Sequence, residues 1–558
     1  MRSRNPLAAS LAMALAIMVL PAVAAAEEED GVWADAEDLV EQAAAVEIEL
    51  DEEIAPPPAF PDADGVLRLD HRSPSWRWAI GGQLLALTGG TIWYVLDEET
   101  NAVDWDYRGI YSDDPDLELR PQSDVWRRFD GWRFDDNVMV LNTPLHPMAG
   151  SGYYLLARSS SLGMLGSLLA ANTTSLVWET VIEHQEVVSI NDLVYTGLGG
   201  FPLGEMYYQL GQFFRHSEPT RLNRALSWVF GLPLQLRDLV HGTSPQYDGP
   251  VDERGWPTDI WHNFVLHTGF GTGITADSYL ELGASAELNR LPDFQAAGEH
   301  EGFVYGPLKS SLAASISAND DYVHNWKLDG RVDFAGHYLH DMTDEDGPVE
   351  GTSLFVGTGM GFRHVQHWFQ NEPLAQGDFL SRYGIVHLPG LRLDTSWMHE
   401  AATLRLSYSA YPDITSIDSV AYPIFAEETG RQAARTVLAN ERYYYGFGFS
   451  NLLRLEADMD PAHFHVQADL HWSRSINARD RFKHEEERFG PDADDYLTLI
   501  DRVANVEMGA LFALPAYNMR AGLVGQMRRH DGTVRDGGNE WTADRRDLRM
   551  LGVLQLVY

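Results

Sequence analysis

Cysteine is absent from all 558 residues of the sequence. The chain therefore forms no disulfide and has neither a thiolate metal site nor a thiol nucleophile. It also lacks the cysteine to which a lipid anchor is attached in exported lipoproteins. These three classes of site are excluded before any pattern is considered.

Basic residues are scarce as well. The sequence contains 41 Lys and Arg against 82 Asp and Glu, which gives a formal net charge of −41. A protein of this charge repels the phosphate backbone of DNA and RNA. We therefore exclude nucleic acids as partners.

Long hydrophobic runs are rare, and the clearest one lies at the N-terminus. Arg2 and Arg4 precede an apolar run at 7–20, and a series of small residues ends at Ala26. This order is typical of a secretory signal peptide. We predict that residues 1–26 are removed and that the mature chain begins at Glu27 in the periplasm of a Gram-negative bacterium.

Residues 27–71 form an acidic leader. Fifteen Asp and Glu residues, and no Lys or Arg, lie between 27 and 64. Such a segment buries too little apolar surface to fold by itself. We predict a disordered periplasmic leader, which is either a solvated spacer or a docking tail for a basic partner.

From residue 251 to 558 apolar and polar side chains alternate. The segment 463–474, for example, places Phe464, Val466, Ala468, Leu470 and Trp472 opposite His463, His465, Gln467, Asp469 and His471. Similarly, Trp326, Leu328, Val332, Phe334 and Tyr338 lie opposite Lys327, Asp329, Arg331, Asp333 and His337. This period is expected of strands with one face in lipid and the other in water.

Lipid satisfies no open strand edge, so strands of this kind must close into a barrel. We predict a transmembrane antiparallel β-barrel of about twelve strands, with 10 to 14 possible. The strands are predicted to begin near residues 263, 279, 308, 326, 354, 387, 402, 441, 463, 498, 516 and 547. A soluble periplasmic β-sandwich is the alternative, because it also alternates apolar and polar residues.

The last residues of the chain favour the membrane. Leu554, Leu556 and the terminal Tyr558 share one strand face, and this resembles the closing strand of an outer-membrane barrel. We expect outer-membrane lipid, lipopolysaccharide and the barrel-assembly machinery as partners. Long connections at 412–440, 475–496 and 529–545 predict outer loops, which puts both termini in the periplasm. Tyr443, Tyr445, Phe447 and Phe449 could form an aromatic girdle.

Residues 72–250 show a different pattern, with helices predicted at 161–184, 202–215 and 222–239. No charged residue lies between Arg158 and Glu179, but several Ser, Thr and Asn residues make that stretch too polar for a membrane span. We predict a mainly helical domain that serves as a plug in the barrel or as a periplasmic cap.

This region also resembles a known family. The residues that carry the resemblance are Trp105-Asp106, Asn142, His146-Pro147, Gly150, Tyr153-Tyr154, Ala157-Arg158, Trp178-Glu179, Glu183, Ser189-Ile190-Asn191-Asp192-Leu193, Thr196, Gly199-Gly200, Leu203-Gly204-Glu205 and Asn223-Arg224. Their spacing is similar to that of domain-of-unknown-function family 3943 over about 105–240, although Thr143-Pro144-Leu145 departs from it. The resemblance implies an outer-membrane location and no established activity.

A polar cluster in this region is the candidate site: Asn142, His146, Arg158, Glu179, Glu183, Asn191, Asp192 and Glu205. Glu179 and Glu183 lie four residues apart and hence on one helix face. Two such carboxylates can share a proton or hold a cation, which His146, Asp192 or Glu205 could complete. A buried structural network is the other interpretation. We assign no catalytic residue, no metal ligand and no cofactor.

Two functions remain open at this stage. The first is a structural or passage role in the envelope for a barrel with a helical plug or cap. The second is a membrane-embedded hydrolase that acts on envelope lipid, with His146, Glu179 and Glu183 as its acid-base site. An enzyme needs a water-accessible base beside the cluster, whereas a structural network needs every polar group paired.

Overall fold

The computed structural model describes residues 74–96, 134, 137–183, 188–243, 250–273, 278–318, 323–344, 347–368, 379–400, 402–430, 438, 442–476, 497–514 and 518–558. The predicted signal peptide and acidic leader lie outside these residues. So do Trp105 and Asp106. Everything that follows concerns the described part of the chain.

The described residues between 74 and 243 are mainly helical, as predicted. Its helices are α1 (Trp76–Leu96), α2 (His146–Ser159), α3 (Met164–Val177), α4 (Ile190–Asp192), α5 (Gly200–Arg215) and α6 (Arg221–His241). Three short π-helical segments join or extend them: Leu141–Leu145 before α2, Trp178–Ile182 after α3 and Leu193–Gly199 before α5. Among the described residues no helix is both long and apolar enough to span a membrane.

The rest of the chain forms a closed antiparallel barrel of twelve strands in which β12 pairs with β1. The strands are β1 (Trp261–Gly273), β2 (Tyr279–Asn289), β3 (Gly298–Ala318), β4 (Val323–Thr343), β5 (Glu350–Trp368), β6 (Phe379–His399), β7 (Ala402–Asp418), β8 (Tyr443–Met459), β9 (Ala462–Ser475), β10 (Thr498–Leu514), β11 (Met519–Asp536) and β12 (Asn539–Val557). The predicted number of strands and the closed barrel are confirmed.

Several strands are longer than the alternation indicated. β3, β6 and β12 begin at Gly298, Phe379 and Asn539, well before the predicted starts. The predicted outer loop at 529–545 is wrong, because β11 and β12 continue as a paired hairpin to a turn at Gly537 and Gly538. This hairpin carries charged residues on its outward face, so its apolar alternation is lost.

The end of the barrel where β1 begins and β12 ends is called the base here, and the opposite end the top. The lumen can be recognised by contacts between strands that are not neighbours. Arg363 on β5 binds Asp329 on β4 at 2.5 Å and Asp469 on β9 at 2.8 Å. Ser381 on β6 lies 3.3 Å from His530 on β11. The face with these residues is therefore the inner one.

Irregular pairing in β3 to β6 exchanges the two faces partway along these strands. In β4 the pairing with β5 skips a residue between Asp333 and Ala335. Because an extra residue shifts the period-two pattern by one, every side chain beyond it changes face. Tyr338 is consequently buried and His337 exposed. The prediction that Tyr338 shares a face with Val332, and His337 with Asp333, is wrong for this reason.

The top of the lumen is closed by the connection between β7 and β8, which contains a further helix, α7 (Tyr422–Thr429). Phe425 of α7 packs edge-on against Trp541 of β12, and the Trp541 indole donates a hydrogen bond to Glu428. Below this apolar layer the lumen keeps a polar cavity of about 300 Å³ that reaches Arg405, His463 and Arg520 near the base.

The helical region contacts the barrel from outside. Leu203 of α5 packs on Gly330, and Gly199 lies beside Phe362 and Val386. Each of these strand residues alternates with a lumen residue, such as Asp329, Arg331 or Arg363, and so faces outward. The sequence predicted that helices precede the barrel, but it did not predict this position against the outer wall.

The outer wall is thereby divided into two sectors. In the covered sector, on β3 to β7, outward side chains such as Val332, Phe362 and Val386 are fully buried under the helices. In the bare sector, on β9 to β12 and β1, the outward side chains are apolar and exposed. They include Leu266, Phe270, Phe464, Leu470, Trp472, Met508, Phe512, Leu523, Met527, Leu548, Met550 and Leu554.

Candidate functional site

The eight predicted polar residues do not form one site. His146 stands at the start of α2 and Arg158 near its end, twelve residues later, which corresponds to about 18 Å along an α-helix. His146 belongs to a network at the end of α2 nearer the top of the barrel. Arg158 belongs to a second network nearer the base.

Three carboxylates converge in the first network. Oxygen atoms of Glu179, Glu183 and Asp192 all lie within 4.8 Å of one another. Glu179 and Asp192 are buried, and Glu183 is half-buried. The sequence placed the two glutamates on one helix face and named Asp192 as a possible third member. The structure brings these three residues together and leaves Glu205 elsewhere.

Local hydrogen bonds fix the elements that carry these carboxylates. Ser189 caps α4, because its hydroxyl accepts a hydrogen bond from the Asp192 backbone N–H at 3.3 Å. The Ser189 backbone N–H donates to Glu179 Oε2 at 3.0 Å. The indole N–H of Trp178 donates to Glu183 Oε1 at 2.7 Å. The segment after α3 is thus joined to the start of α4.

His146 and Asn191 complete this network. The His146 ring contacts Asp192 Oδ1 through Nε2 at 3.2 Å and Thr196 Oγ1 through Nδ1 at 3.3 Å. Asn191 is fully buried and donates to Asp192 Oδ1 at 2.7 Å. His146 therefore touches one carboxylate of the three, and both of its ring nitrogens have neighbours.

The arrangement permits two kinds of chemistry. Three carboxylates this close together offer the oxygen ligands that hard divalent cations such as Ca²⁺ prefer. Without a cation, like charges at such short distances favour retention of a shared proton. A histidine beside the group could exchange that proton. Each alternative requires the side chains of Glu179, Glu183 and Asp192, and they differ in the role of His146.

Asn142 belongs to the interface with the barrel instead. Its side-chain amide donates to the hydroxyls of Tyr443 at 3.0 Å and Tyr445 at 2.8 Å on β8. One residue later, Thr143 lies 2.7 Å from the ring of His364 on β5. Tyr443 and Tyr445 are therefore covered by the helical region and do not serve in an exposed aromatic girdle. Phe447 and Phe449, further along β8, are exposed.

The second network surrounds Glu205, which is fully buried on α5. Its carboxylate accepts hydrogen bonds from Tyr154, Gln209 and, at 3.0 Å, from Arg158 Nε. Arg290, after β2, donates to Gln209 at 3.1 Å. The Arg158–Glu205 ion pair and these hydrogen bonds join α2, α5 and the base of the barrel, while Nε and Nη2 of Arg290 are buried with no hydrogen-bond partner among the described residues.

A third polar group, which the sequence did not reveal, lies in the lumen of the barrel. Asp413 on β7 accepts contacts from His387 at 2.7 Å and His471 at 3.1 Å, and from Ser450 at 2.6 Å. The alternation correctly gave His471 a lumen-facing position, but it could not indicate which residues on other strands lie opposite. Those contacts depend on the register of the closed barrel.

The family comparison supports the resemblance seen in the sequence. The model of the domain of unknown function DUF3943 matches residues 131–232, a segment that contains all eight candidate residues. No curated protein matches the sequence.

The solved structures that match the chain include outer-membrane proteins, each with low identity and a low TM-score. A porin is 7% identical over 54% of this chain and 100% of its own, with a TM-score of 0.16. The translocator domain of the autotransporter NalP from Neisseria meningitidis is 10% identical over 52% and 87%, with a TM-score of 0.18. The outer membrane protein OprD from Pseudomonas aeruginosa is 8% identical over 56% and 96%, with a TM-score of 0.13. Similarity this low says nothing about function.

Proposed function

We propose that this protein is an integral outer-membrane β-barrel with a structural role in the Gram-negative envelope, whose lumen is closed. The observation that carries the proposal is the distribution of side chains on a closed barrel. Between the base and the charged top hairpin, the bare sector exposes apolar residues along its strands, whereas the lumen carries charged and polar residues. A closed barrel with an apolar exterior is a form in which strands can cross a bilayer.

A structural role is preferred to passage because of how the lumen is filled. The Arg363–Asp469 ion pair crosses it from β5 to β9, and β6 contacts β11 through Ser381 and His530. The helix α7 and its apolar neighbours occupy the top. An open pore would require several of these contacts to separate together.

The remaining parts of this proposal concern export and assembly. We expect cleavage of residues 1–26, both termini in the periplasm, and contact with outer-membrane lipid and lipopolysaccharide. The closing strand ends with Leu554, Leu556 and Tyr558, the residues through which we expect the barrel-assembly machinery to recognise the chain. Tyr558 is joined to Phe264 of β1 by two backbone hydrogen bonds of 2.8 Å.

Planar-bilayer recordings test the proposal. The full mature chain is purified from outer membranes, its fold is verified by heat-modifiable migration on gels, and it is then reconstituted. We expect no steady current above that of the bare bilayer, with an open porin as the positive control. A reproducible steady conductance would overturn the closed lumen, and recovery of the folded chain outside the outer-membrane fraction would overturn the location.

The convergence of Glu179, Glu183 and Asp192 beside His146 supports one second candidate, a membrane-embedded hydrolase of envelope lipid. Its acid-base group would be His146 with the two glutamates. The comparison of Glu179→Gln with Glu179→Ala, described in the Discussion, separates this candidate from a structural network.

A further inference from the structure

We propose that the helical region is not a soluble domain but lies in the same bilayer as the barrel, with the outer faces of α1, α3 and α6 against lipid acyl chains. The inference rests on the proposed outer-membrane location. The outer faces of these helices would then contact the hydrocarbon of the membrane around the barrel.

The helices lie beside the barrel wall, between its top and its base. The start of α5 adjoins Phe362 and Val386, whereas its end, at Phe213 and Phe214, packs on Phe264 of β1 near the base. A helix of this length extends about 24 Å, close to the thickness of a bilayer core. Helix α5 thus runs along the side of the barrel wall. It does not extend the barrel at the top or at the base.

Apolar surface is exposed on the helices as well as on the bare sector of the wall. The faces of α1, α3 and α6 that point away from the barrel expose large apolar side chains just as the bare sector does. These residues are Trp76, Ile80, Leu84, Leu85, Ile92, Trp93, Leu165, Leu169, Leu176, Trp228, Leu232, Leu236, Leu239 and Val240. Soluble domains rarely expose a patch of this size. An environment of hydrocarbon around both the wall and the helices accounts for the whole surface at once.

The exposed faces of α1 and α3 carry few charged groups, and their hydroxyls are hydrogen-bonded within the helix. α3 contains no charged residue, and Arg77 is the sole charged residue of α1. The hydroxyls of Thr88 and Thr173 are on exposed side chains, and each donates to the carbonyl oxygen four residues earlier in its own helix. This intrahelical bond satisfies a hydroxyl where no water is available.

The helices pack closely through glycine residues. A Cβ on Gly200 of α5 would overlap the backbone of Gly150 in α2, and a Cβ on Gly150 would overlap the backbone of Thr196 in the segment just before α5. Gly211 of α5 and Gly231 of α6 approach in the same way. Close contact through small residues is typical of helices in lipid, where apolar burial contributes little to association. Gln83 and Thr174 add a buried hydrogen bond of 3.0 Å between α1 and α3.

The mean hydropathy of these helices is reduced by side chains that they turn inward. Ser167 and Thr174 of α3 are buried, whereas Leu165 and Leu169 on its opposite face are exposed. An average over all faces therefore underestimates the apolar character of the one face that meets the surroundings.

The absence of cysteine makes a direct test possible. Single substitutions Leu85→Cys in α1, Leu169→Cys in α3 and Leu236→Cys in α6 are labelled with a nitroxide in the full mature chain, reconstituted in phosphatidylethanolamine and phosphatidylglycerol vesicles. Leu470→Cys in the bare sector is the lipid control, and Arg546→Cys, which is exposed on the top hairpin, is the water control. Accessibility to oxygen and to a water-soluble nickel complex is measured by electron paramagnetic resonance.

We expect the three helix positions to match Leu470→Cys, with high oxygen and low nickel accessibility. Helix labels that match Arg546→Cys while Leu470→Cys remains in lipid would overturn this inference and leave the barrel proposal intact. If Leu470→Cys itself is accessible to nickel, the membrane location of the barrel fails as well. Because all the substituted side chains are exposed, the substitutions leave the packed core unchanged.

Discussion

The two sectors of the outer wall meet different surroundings with strands of the same kind. In the bare sector most exposed outward residues are large and apolar, such as Leu470, Trp472 and Phe512. In the covered sector glycine, serine and histidine also occur at outward positions, as at Gly330, Gly384, Ser416 and His364. Lipid accepts any apolar side chain, but a helix needs recesses of a particular shape and partners for its polar groups. Glycine alone does not distinguish the covered wall, because Gly525 and Gly552 lie among the outward residues of the bare sector. Outward polar groups that have a protein partner, such as His364 with Thr143, do distinguish it.

The largest expected effect lies in the helices that pack on the covered sector. A Cβ at Gly150 would stand 1.7 Å from the Thr196 carbonyl oxygen, a backbone atom. We expect Gly150→Val to destabilise the helical region by about 3 kcal/mol or more, because the helices must separate. Gly152→Val is the matched control, since a Cβ there meets nothing within 4 Å. Limited proteolysis of the folded protein should show rapid cleavage in the helices of the first variant only. Equal resistance of both would contradict the described packing.

In the bare sector the corresponding experiment is a charge on the lipid face. Leu470→Arg should cost about 2 to 4 kcal/mol if the position lies near the midplane. On the same strand, Gln467 faces the lumen and lines its polar cavity, so Gln467→Arg should be tolerated. Urea titration of the reconstituted proteins measures both. Equal tolerance of arginine at the two positions would count against a lipid-facing wall.

A third experiment concerns the carboxylate group that the helices hold. Glu179→Ala leaves the Ser189 backbone N–H without its acceptor and should destabilise the fold by about 1 to 3 kcal/mol. Glu179→Gln keeps the shape and an acceptor oxygen, so a structural network predicts nearly full stability and the phenotype of the unaltered protein. If the glutamine variant folds normally yet behaves like a gene deletion, the ionised carboxylate of Glu179 is required, for proton exchange or for a cation, and the purely structural network is contradicted.

The smallest effect on stability is expected at the seam between β12 and β1. Deletion of Tyr558 removes two backbone hydrogen bonds to Phe264, which contribute about 1 kcal/mol each. We expect the yield of assembled protein in the outer membrane to fall more than the stability of the molecules that do assemble. Tyr558→Phe, which keeps the backbone and the ring, is the control. An unchanged yield of heat-modifiable protein would contradict a role for the terminus in assembly.

The alternation was sufficient to predict the closed barrel and the number of strands, because period two and the absence of water in lipid leave few alternatives. It failed beyond Asp333, where irregular pairing changes the face of every later residue. It also failed on the top hairpin, where neither face meets an apolar medium. These are positions at which the strand no longer samples lipid on one side and water on the other.

For the candidate site, spacing was sufficient within one helix and insufficient between helices. Four-residue spacing placed Glu179 beside Glu183, but Glu205 and Arg158 were assigned to the same cluster although they lie at the other end of α2. The sequence gives no distance between separate helices. The outward Ser416 and His364 are unsuited to a lipid face, and polar residues at such positions indicate a protein cover on β5 and β7.

The pairing of β1 with β12 also determines when the chain becomes a membrane protein. These two strands lie at opposite ends of the barrel sequence, so their ladder closes the longest loop in the fold and pays the largest closure entropy. Until Leu266 meets Leu556, both strands present open edges that hydrocarbon cannot satisfy and that other chains can join. A partly folded intermediate is therefore unstable in lipid and prone to aggregate in water. Pairing of the last strand, β12, with β1 removes both open edges.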